Sequence, residues 1–366
     1  MQMGGVESVL IRTLDALQKY KNIEISFITY VDIKNTFYKQ YFSEHANIKC
    51  YSLYPSNIFG TDLPHFFLIR MFIHLVRGIY RGIHRKFFIK NILNQFDVFI
   101  DYHDFGFIDE LKQIKCAKKI AWFHSSLNVF IKRRFEKYIK HYDKCVVLTD
   151  ECMHALQGLY PQCKDKIIRI YNPIDIKDIQ NKAKEKININ GDYFCSVSRL
   201  SGDKDIKTIL NGFDMFYNIN KNPNVKLIIV GDGDKADEYK KYANILKSKK
   251  QIMFIGAQQN PFVYMKNALA NILSSYGEGL PTVLVESMAL NSVNVSSDCK
   301  CGPREILLDG RCGSLFEPGN ANQLAQLLSD VYNGNVDTKS MIKEATKSLN
   351  RFDSDEIAKQ IISLIS

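Results

Sequence analysis

Two glutamates eight positions apart, Glu278 and Glu286, stand on either side of a helix entrance in Tyr276-Gly277-Glu278-Gly279-Leu280-Pro281-Thr282-Val283-Leu284-Val285-Glu286. The preceding run, Ala270 to Ser275, reads as a buried strand. Gly277 and Gly279 permit a tight turn, and Pro281 suits the first position of a helix over 281–290. The unpaired N–H groups of that first turn, with the positive end of the helix dipole, form a site for an anion. Eight helical residues span ~12 Å, so the two carboxylates are poorly placed to flank one glycosidic bond as a hydrolase requires. They suit the opposite ends of an elongated ligand whose phosphates face the helix, and a nucleotide sugar has that shape.

Arg199 ends a strand predicted over 192–198, and Lys204 opens the next helix, 203–218. Both can point to the carboxyl edge of a sheet, where open α/β folds bind ligands; the bland alternative is two solvated cations. His124 closes a strand over 118–123, with His103 as a nearby competitor and a structural role as its alternative. Gly231-Asp232-Gly233-Asp234-Lys235-Ala236 mimics a dinucleotide fingerprint, but Met253 to Gln258 holds no acid for a ribose. Nicotinamide binding is therefore disfavoured, and a tight turn supporting the ligand pocket is the better reading. The eight histidines form no spaced metal site.

In order along the chain, Gly4-Gly5-Val6-Glu7, Asn172-Pro173-Ile174-Asp175, Ser198-Arg199-Leu200 with Lys204, Val230-Gly231-Asp232-Gly233, the glutamate pair and Cys301-Gly302-Pro303-Arg304-Glu305-Ile306 resemble the retaining glycosyltransferases of family 4, or group 1. The resemblance implies an α/β protein of the GT-B fold, in which two Rossmann-like, doubly wound parallel-sheet domains face a cleft. It also implies a nucleotide diphosphate sugar as donor, a uridine diphosphate sugar first among them, and a glycan or lipid-linked acceptor. The expected setting is capsule or lipopolysaccharide assembly. By the same resemblance Arg199 and Lys204 hold the diphosphate as it departs, Glu286 accepts from the ribose hydroxyls, and Glu278 contacts the donor sugar. His124 touches that sugar or supports the reacting centre through its carbonyl. The backbone around Gly279, Leu280, Pro281 and Thr282 completes the donor cradle, and Gly4 and Gly5 allow close approach of donor or acceptor. No metal and no cofactor are implied. A nucleotide-sugar epimerase, or a non-catalytic glycan- or membrane-binding subunit, is the alternative. One departure stands out: family members carry an apolar strand before the Gly-Gly loop, whereas only Met1-Gln2-Met3 precede Gly4 here. That points to a start site placed too late or to truncation; a chain lacking the strand natively is expected to have an open seam in its first sheet and reduced stability.

The elements that must position these residues follow from alternation of strand and helix along 366 residues, 46% of them hydrophobic. That length favours two domains, with the hinge at Asn172-Pro173-Ile174-Asp175. The first, 1–174, would bind the acceptor; the second, 175–345, the nucleotide sugar; and the helices of 346–366 would pack back toward the first. Nine cysteines without a Cys-x-x-Cys pair suit a reducing cytosol. No signal peptide or confident transmembrane helix is read from the sequence, so the expected location is cytoplasmic, peripheral on the inner face of the membrane.

The net charge of +10 is uneven: up to Asp175 there are 25 Lys+Arg against 17 Asp+Glu, and beyond it 24 against 22. Within a helix predicted over 63–94, Arg70, His74, Arg77, Arg81 and Arg85 recur at three- and four-residue steps and form one stripe. Such a helix suits an anionic membrane surface; a core-packed helix with a solvated basic side is the other reading. No motif supports nucleic acid as a partner.

Overall fold

The computed structural model describes residues 5–54, 67–102, 104–125, 127, 135–187, 189–221 and 223–366. Of the sequence expectations, Gly4 and His103 lie outside them, as do the side chains of Arg70, His74 and Arg77. The first half contains α1 (Gly5–Leu17), β1 (Ser26–Val31), α2 (Thr36–Glu44), β2 (Lys49–Tyr54), α3 (Phe67–Asn91), β3 (Val98–Asp101), α4 (Ile108–Leu111), β4 (Lys118–Trp122), α5 (Phe135–Ile139), β5 (Lys144–Val147), α6 (Asp150–Leu159) and β6 (Ile167–Arg169). The second continues with α7 (Ile176–Lys182), β7 (Tyr193–Val197), α8 (Ile206–Ile219), β8 (Lys226–Val230), α9 (Ala236–Ala243), β9 (Ile252–Gly256), α10 (Phe262–Lys266), β10 (Asn271–Leu273), α11 (Thr282–Ala289), β11 (Asn294–Ser297), α12 (Pro303–Ile306), β12 (Ser314–Phe316), α13 (Ala321–Tyr332), α14 (Thr338–Ser348) and α15 (Ser354–Ile365).

Strands β7–β12 form one parallel sheet in the order β12-β11-β10-β7-β8-β9. The winding reverses between β7 and β10, and a crevice opens at the carboxyl ends of strands at such a point. Both faces are covered, as a parallel sheet requires. In β8, Ile228 and Val230 join one buried cluster while Leu227 and Ile229 join another. Helix α8 closes the second face with Ile206, Ile209, Leu210, Phe213 and Phe216, the spacing of one apolar helix stripe.

Among the described residues of the first half, strands β3–β6 form a parallel sheet in sequence order, and β1 and β2 pair with each other in a separate one. Residues of β1, β3 and α1 line a cavity of about 440 Å³ between the two sheets. Helix α15 lies against α1, where Leu17 and Ile361 share a buried cluster and Lys19 pairs with Asp355. The hinge sequence is tied down by the same segment, since the Ile174 amide donates to the Phe352 carbonyl at 2.8 Å.

Candidate active site

The loops leaving β7 and β10 meet at the switch point and bring Lys204 and Glu278 together. Lys204 Nζ donates to Glu278 Oε1 at 2.5 Å, and the Ser275 hydroxyl donates to the same oxygen at 2.6 Å. Glu278 is only 9% exposed, so this is a carboxylate held by two donors rather than a solvated loop charge. Arg199 is exposed on the neighbouring loop, and its guanidinium has no hydrogen-bond partner among the described residues. Burial pushes the Asp203 carboxyl up, yet the Ser201 hydroxyl, Lys204 and Arg199 together hold it below its ordinary value.

The turn at Gly231-Asp232-Gly233 is the shelf for the Arg199 loop. The Leu200 amide donates to the Asp232 carbonyl at 2.9 Å, and the Leu200 carbonyl accepts from Lys235 at 2.9 Å. Gly231 has a φ of +142°, and a Cβ there would run into the Ser198 carbonyl. Glycine is required by this close approach, which accounts for the fingerprint-like sequence without a dinucleotide.

Helix α11 opens at Thr282, with Pro281 as its N-cap rather than its first residue. Leu284 to Ala289 are all buried, and Glu286 is the one ionisable residue of the helix, 9% exposed. A solvated helix carboxylate is thereby excluded for Glu286. Leu280 and Pro281 are buried before it, while Thr282 is half-buried.

From the first half, His124 follows β4 and faces this loop: a Cβ on Gly279 would collide with the His124 carbonyl oxygen. The histidine amide donates to Asp104 Oδ1 at 2.9 Å, the Ser125 hydroxyl donates to Asp104 Oδ2, and the imidazole lies 4.5 Å from the Tyr102 ring. Asp104 and Phe105 both have left-handed φ, +49° and +65°, strain that collects at functional sites. Asp104 is thus the anchor of the His124 loop, a role not visible in the sequence beyond its place in Asp101-Tyr102-His103-Asp104. Gly5 heads α1, and among the described residues nothing lies within contact of a Cβ added there.

Further polar contacts join the halves. The amides of Asp150 and Glu151, opening α6, donate to Glu305 Oε1 and Oε2 at 2.9 and 3.1 Å, and Tyr171 Oη donates to Glu305 Oε1 at 2.6 Å. In return Glu151 Oε2 accepts from the Cys301 amide at 2.9 Å. Arg12 on α1 donates to Glu286 at 2.8 Å. Among the described residues no group of three or more His, Cys, Asp or Glu is arranged to hold a metal ion.

The sequence and the fold have counterparts among known proteins. Residues 177–348 match the glycosyl transferases group 1. The fold is GT-B. The lipopolysaccharide outer core galactosyltransferase WaaB, in its apo form, superposes with a TM-score of 0.72 at 21% identity, covering 99% of this chain and 96% of that one. Anabaena HepE in complex with UDP-glucose gives 0.71 at 18% identity over 100% and 96%. Among curated proteins, an uncharacterized glycosyltransferase of Methanocaldococcus jannaschii is 31% identical over 180 residues, 47% of this chain and 44% of that one. The N-acetylgalactosamine-N,N'-diacetylbacillosaminyl-diphospho-undecaprenol 4-alpha-N-acetylgalactosaminyltransferase of Campylobacter jejuni is 28% identical over 54% and 52%. The lipopolysaccharide 1,6-galactosyltransferase of Salmonella typhimurium is 26% identical over 54% and 56%. The chain spans about half the length of the curated relatives it matches.

The expected basic stripe is described only in part, since the side chains of Arg70, His74 and Arg77 lie outside the described residues. In the described part of α3, Ile79, Ile83 and Phe87 are exposed at four-residue steps, together with Arg81, Lys86 and Lys90. Arg85 instead approaches the buried Glu110, 3.6 Å away, and the Arg81 guanidinium lies 5.6 Å from the centre of the Tyr54 ring. The buried Glu110 draws Arg85 inward, while Arg81 stays exposed beside the apolar stripe with Lys86 and Lys90. No helix among the described residues is long and apolar enough to cross a membrane.

Proposed function

We propose that this protein is a retaining glycosyltransferase that moves a hexose or N-acetylhexosamine from a nucleotide diphosphate sugar, first among them a uridine diphosphate sugar, to a glycan or lipid-linked acceptor of a cell-surface polysaccharide. The observation that carries this reading is the convergence of Lys204, Glu278 and the entry of α11 at the switch point, opposite the His124 carbonyl. In this reading residues 175–345 take the donor, 1–174 take the acceptor, and 346–366 tie the two.

Lys204 and Arg199 face the diphosphate and stabilise the charge that grows on it as the bond to the anomeric carbon breaks. The first amides of α11 add to this field. Glu286 accepts from the ribose hydroxyls and Glu278 from the sugar. The departing phosphate oxygen takes the proton of the acceptor hydroxyl on the face it leaves, which retains configuration. Cys299 lies near Glu278, but burial pushes its thiol up to about 12, so it is protonated and unsuited to act as a nucleophile. The cations and the helix end do the work of a metal ion in this scheme. The names of the Campylobacter and Salmonella relatives support a lipid-linked or lipopolysaccharide acceptor.

The test is incubation with UDP-glucose, UDP-galactose and their N-acetylhexosamine counterparts, with and without EDTA, while NMR follows the anomeric proton. Transfer or slow hydrolysis that releases the α-anomer first and survives EDTA is expected. Inversion or EDTA sensitivity refutes those parts of the scheme. Intact UDP binding without turnover of any donor would favour a non-catalytic glycan-binding subunit.

The α3 stripe favours work at the cytoplasmic face of the membrane. Ile79, Ile83 and Phe87 would enter the headgroup boundary while Lys86 and Lys90 meet anionic lipid. Exchanging Ile83 and Phe87 for Glu should lower partition onto phosphatidylglycerol vesicles by roughly tenfold or more, since each apolar side chain buried is worth ~1.5–3 kcal/mol. Circular dichroism should remain unchanged. Equal sedimentation of the variant with vesicles would return the stripe to an ordinary surface.

A further inference from the structure

Arg12 and Glu286 are 274 positions apart in sequence and come from opposite halves, yet Arg12 Nη2 donates to Glu286 Oε1 at 2.8 Å. Both side chains are largely withdrawn from water, at 20% and 11% exposure. Among the described residues Arg12 has no second carboxylate, and Glu286 Oε2 makes no hydrogen bond. The carboxylate is therefore half occupied: one oxygen is held from across the cleft, and the other is left over.

We propose that Arg12 is a positioning residue that couples occupancy of the nucleotide site to the approach of the two halves. This rests on the reading of Glu286 as the acceptor for the ribose hydroxyls. The guanidinium fixes the carboxylate in one rotamer and leaves Oε2 to accept from the ribose. The ordering cost of that contact is met before the nucleotide arrives. When the halves part, α1 carries Arg12 away, and Glu286 is left as the lone charge of an otherwise uncharged helix. Nucleotide affinity then falls with opening. By linkage, bound nucleotide favours the closed arrangement by the same factor that closure favours the nucleotide. Two other roles give different results. A merely structural ion pair would change stability and leave affinity alone, and a latch that competes with the ribose would make the nucleotide bind more tightly once removed.

Calorimetry with UDP on the wild type, Arg12→Ala, Arg12→Lys, Glu286→Ala and the Arg12→Ala/Glu286→Ala pair decides, with small-angle scattering of each protein with and without UDP. Arg12→Ala should weaken UDP by about five- to twentyfold, Arg12→Lys should recover part of the loss, and the double variant should bind no worse than Glu286→Ala alone. The contraction that UDP causes should shrink in Arg12→Ala, and KM for the donor should rise more than kcat falls. If the alanine variant does not fold, Arg12→Gln, which keeps the stem and a donor, carries the same comparison. Wild-type or tighter UDP binding in Arg12→Ala, with Glu286→Ala still weakened, overturns the coupling alone. Unchanged affinity in Glu286→Ala overturns the ribose reading and the coupling with it.

Discussion

Lys204→Met should lower turnover by about a hundred- to a thousandfold, the ~2–4 kcal/mol of transition-state stabilisation that one such electrostatic group supplies. The reason is its setting. Lys204 is mostly buried and already aligned by Glu278, so in the proposed scheme its charge would face the departing diphosphate with little solvent to screen it. Arg199 is exposed, and water shares its work; Arg199→Ala should therefore cost less. Donor affinity should fall by a smaller factor than turnover in both variants, because the charge they meet grows only as the bond breaks. Lys204→Met also leaves Glu278 without its cation, a loss of about 1–3 kcal/mol in folding. Thermal unfolding must accompany the kinetics, with Lys204→Arg as the variant that keeps the pair. Near-wild-type turnover in both Lys204→Met and Arg199→Ala would return them to the status of surface cations.

Much of this site was legible in the sequence because its residues follow apolar runs within a steady alternation of strand and helix. Arg199 after β7 and Glu278 after β10 are placed by the apolar runs that precede them, and the carboxyl edge follows from the alternation of strand and helix. Short pieces were not legible. Strand β12 has three residues and α10 has five, too few for a period to show. In the basic helix Arg85 turns toward the buried Glu110 while Arg81 stays exposed; amphipathic spacing does not separate the two, since Glu110 lies on another element. Arg12 was out of reach for the same reason: nothing local marks it, and its partner lies in the other half. Asp104 depends on a left-handed backbone that only a tertiary contact imposes.

Glu286→Ala should weaken binding of UDP itself, whereas Glu278→Ala should leave UDP affinity nearly unchanged and abolish most transfer. The two glutamates are equally buried, so burial alone does not separate them; their neighbours do. Glu286 projects from a helix with no other ionisable residue and keeps one oxygen unpaired among the described residues. A ribose diol that pairs with it contributes ~1.5–3 kcal/mol, the range for hydrogen bonds to a charged group, or roughly ten- to a hundredfold in affinity. Glu278 is engaged with Lys204 and Ser275 beside Gly279, where the His124 carbonyl closes the far wall. In the proposed scheme its contact is with the sugar, the part of the donor that UDP lacks. Loss of Glu278 also frees Lys204 toward the diphosphate, which keeps UDP affinity from falling while turnover collapses. Calorimetry with UDP and steady-state kinetics with the sugar donor read the two effects separately. A Glu278→Ala variant that loses UDP binding, beside a Glu286→Ala variant that keeps it, would exchange the two assignments and place the ribose at the mouth of the β10 loop.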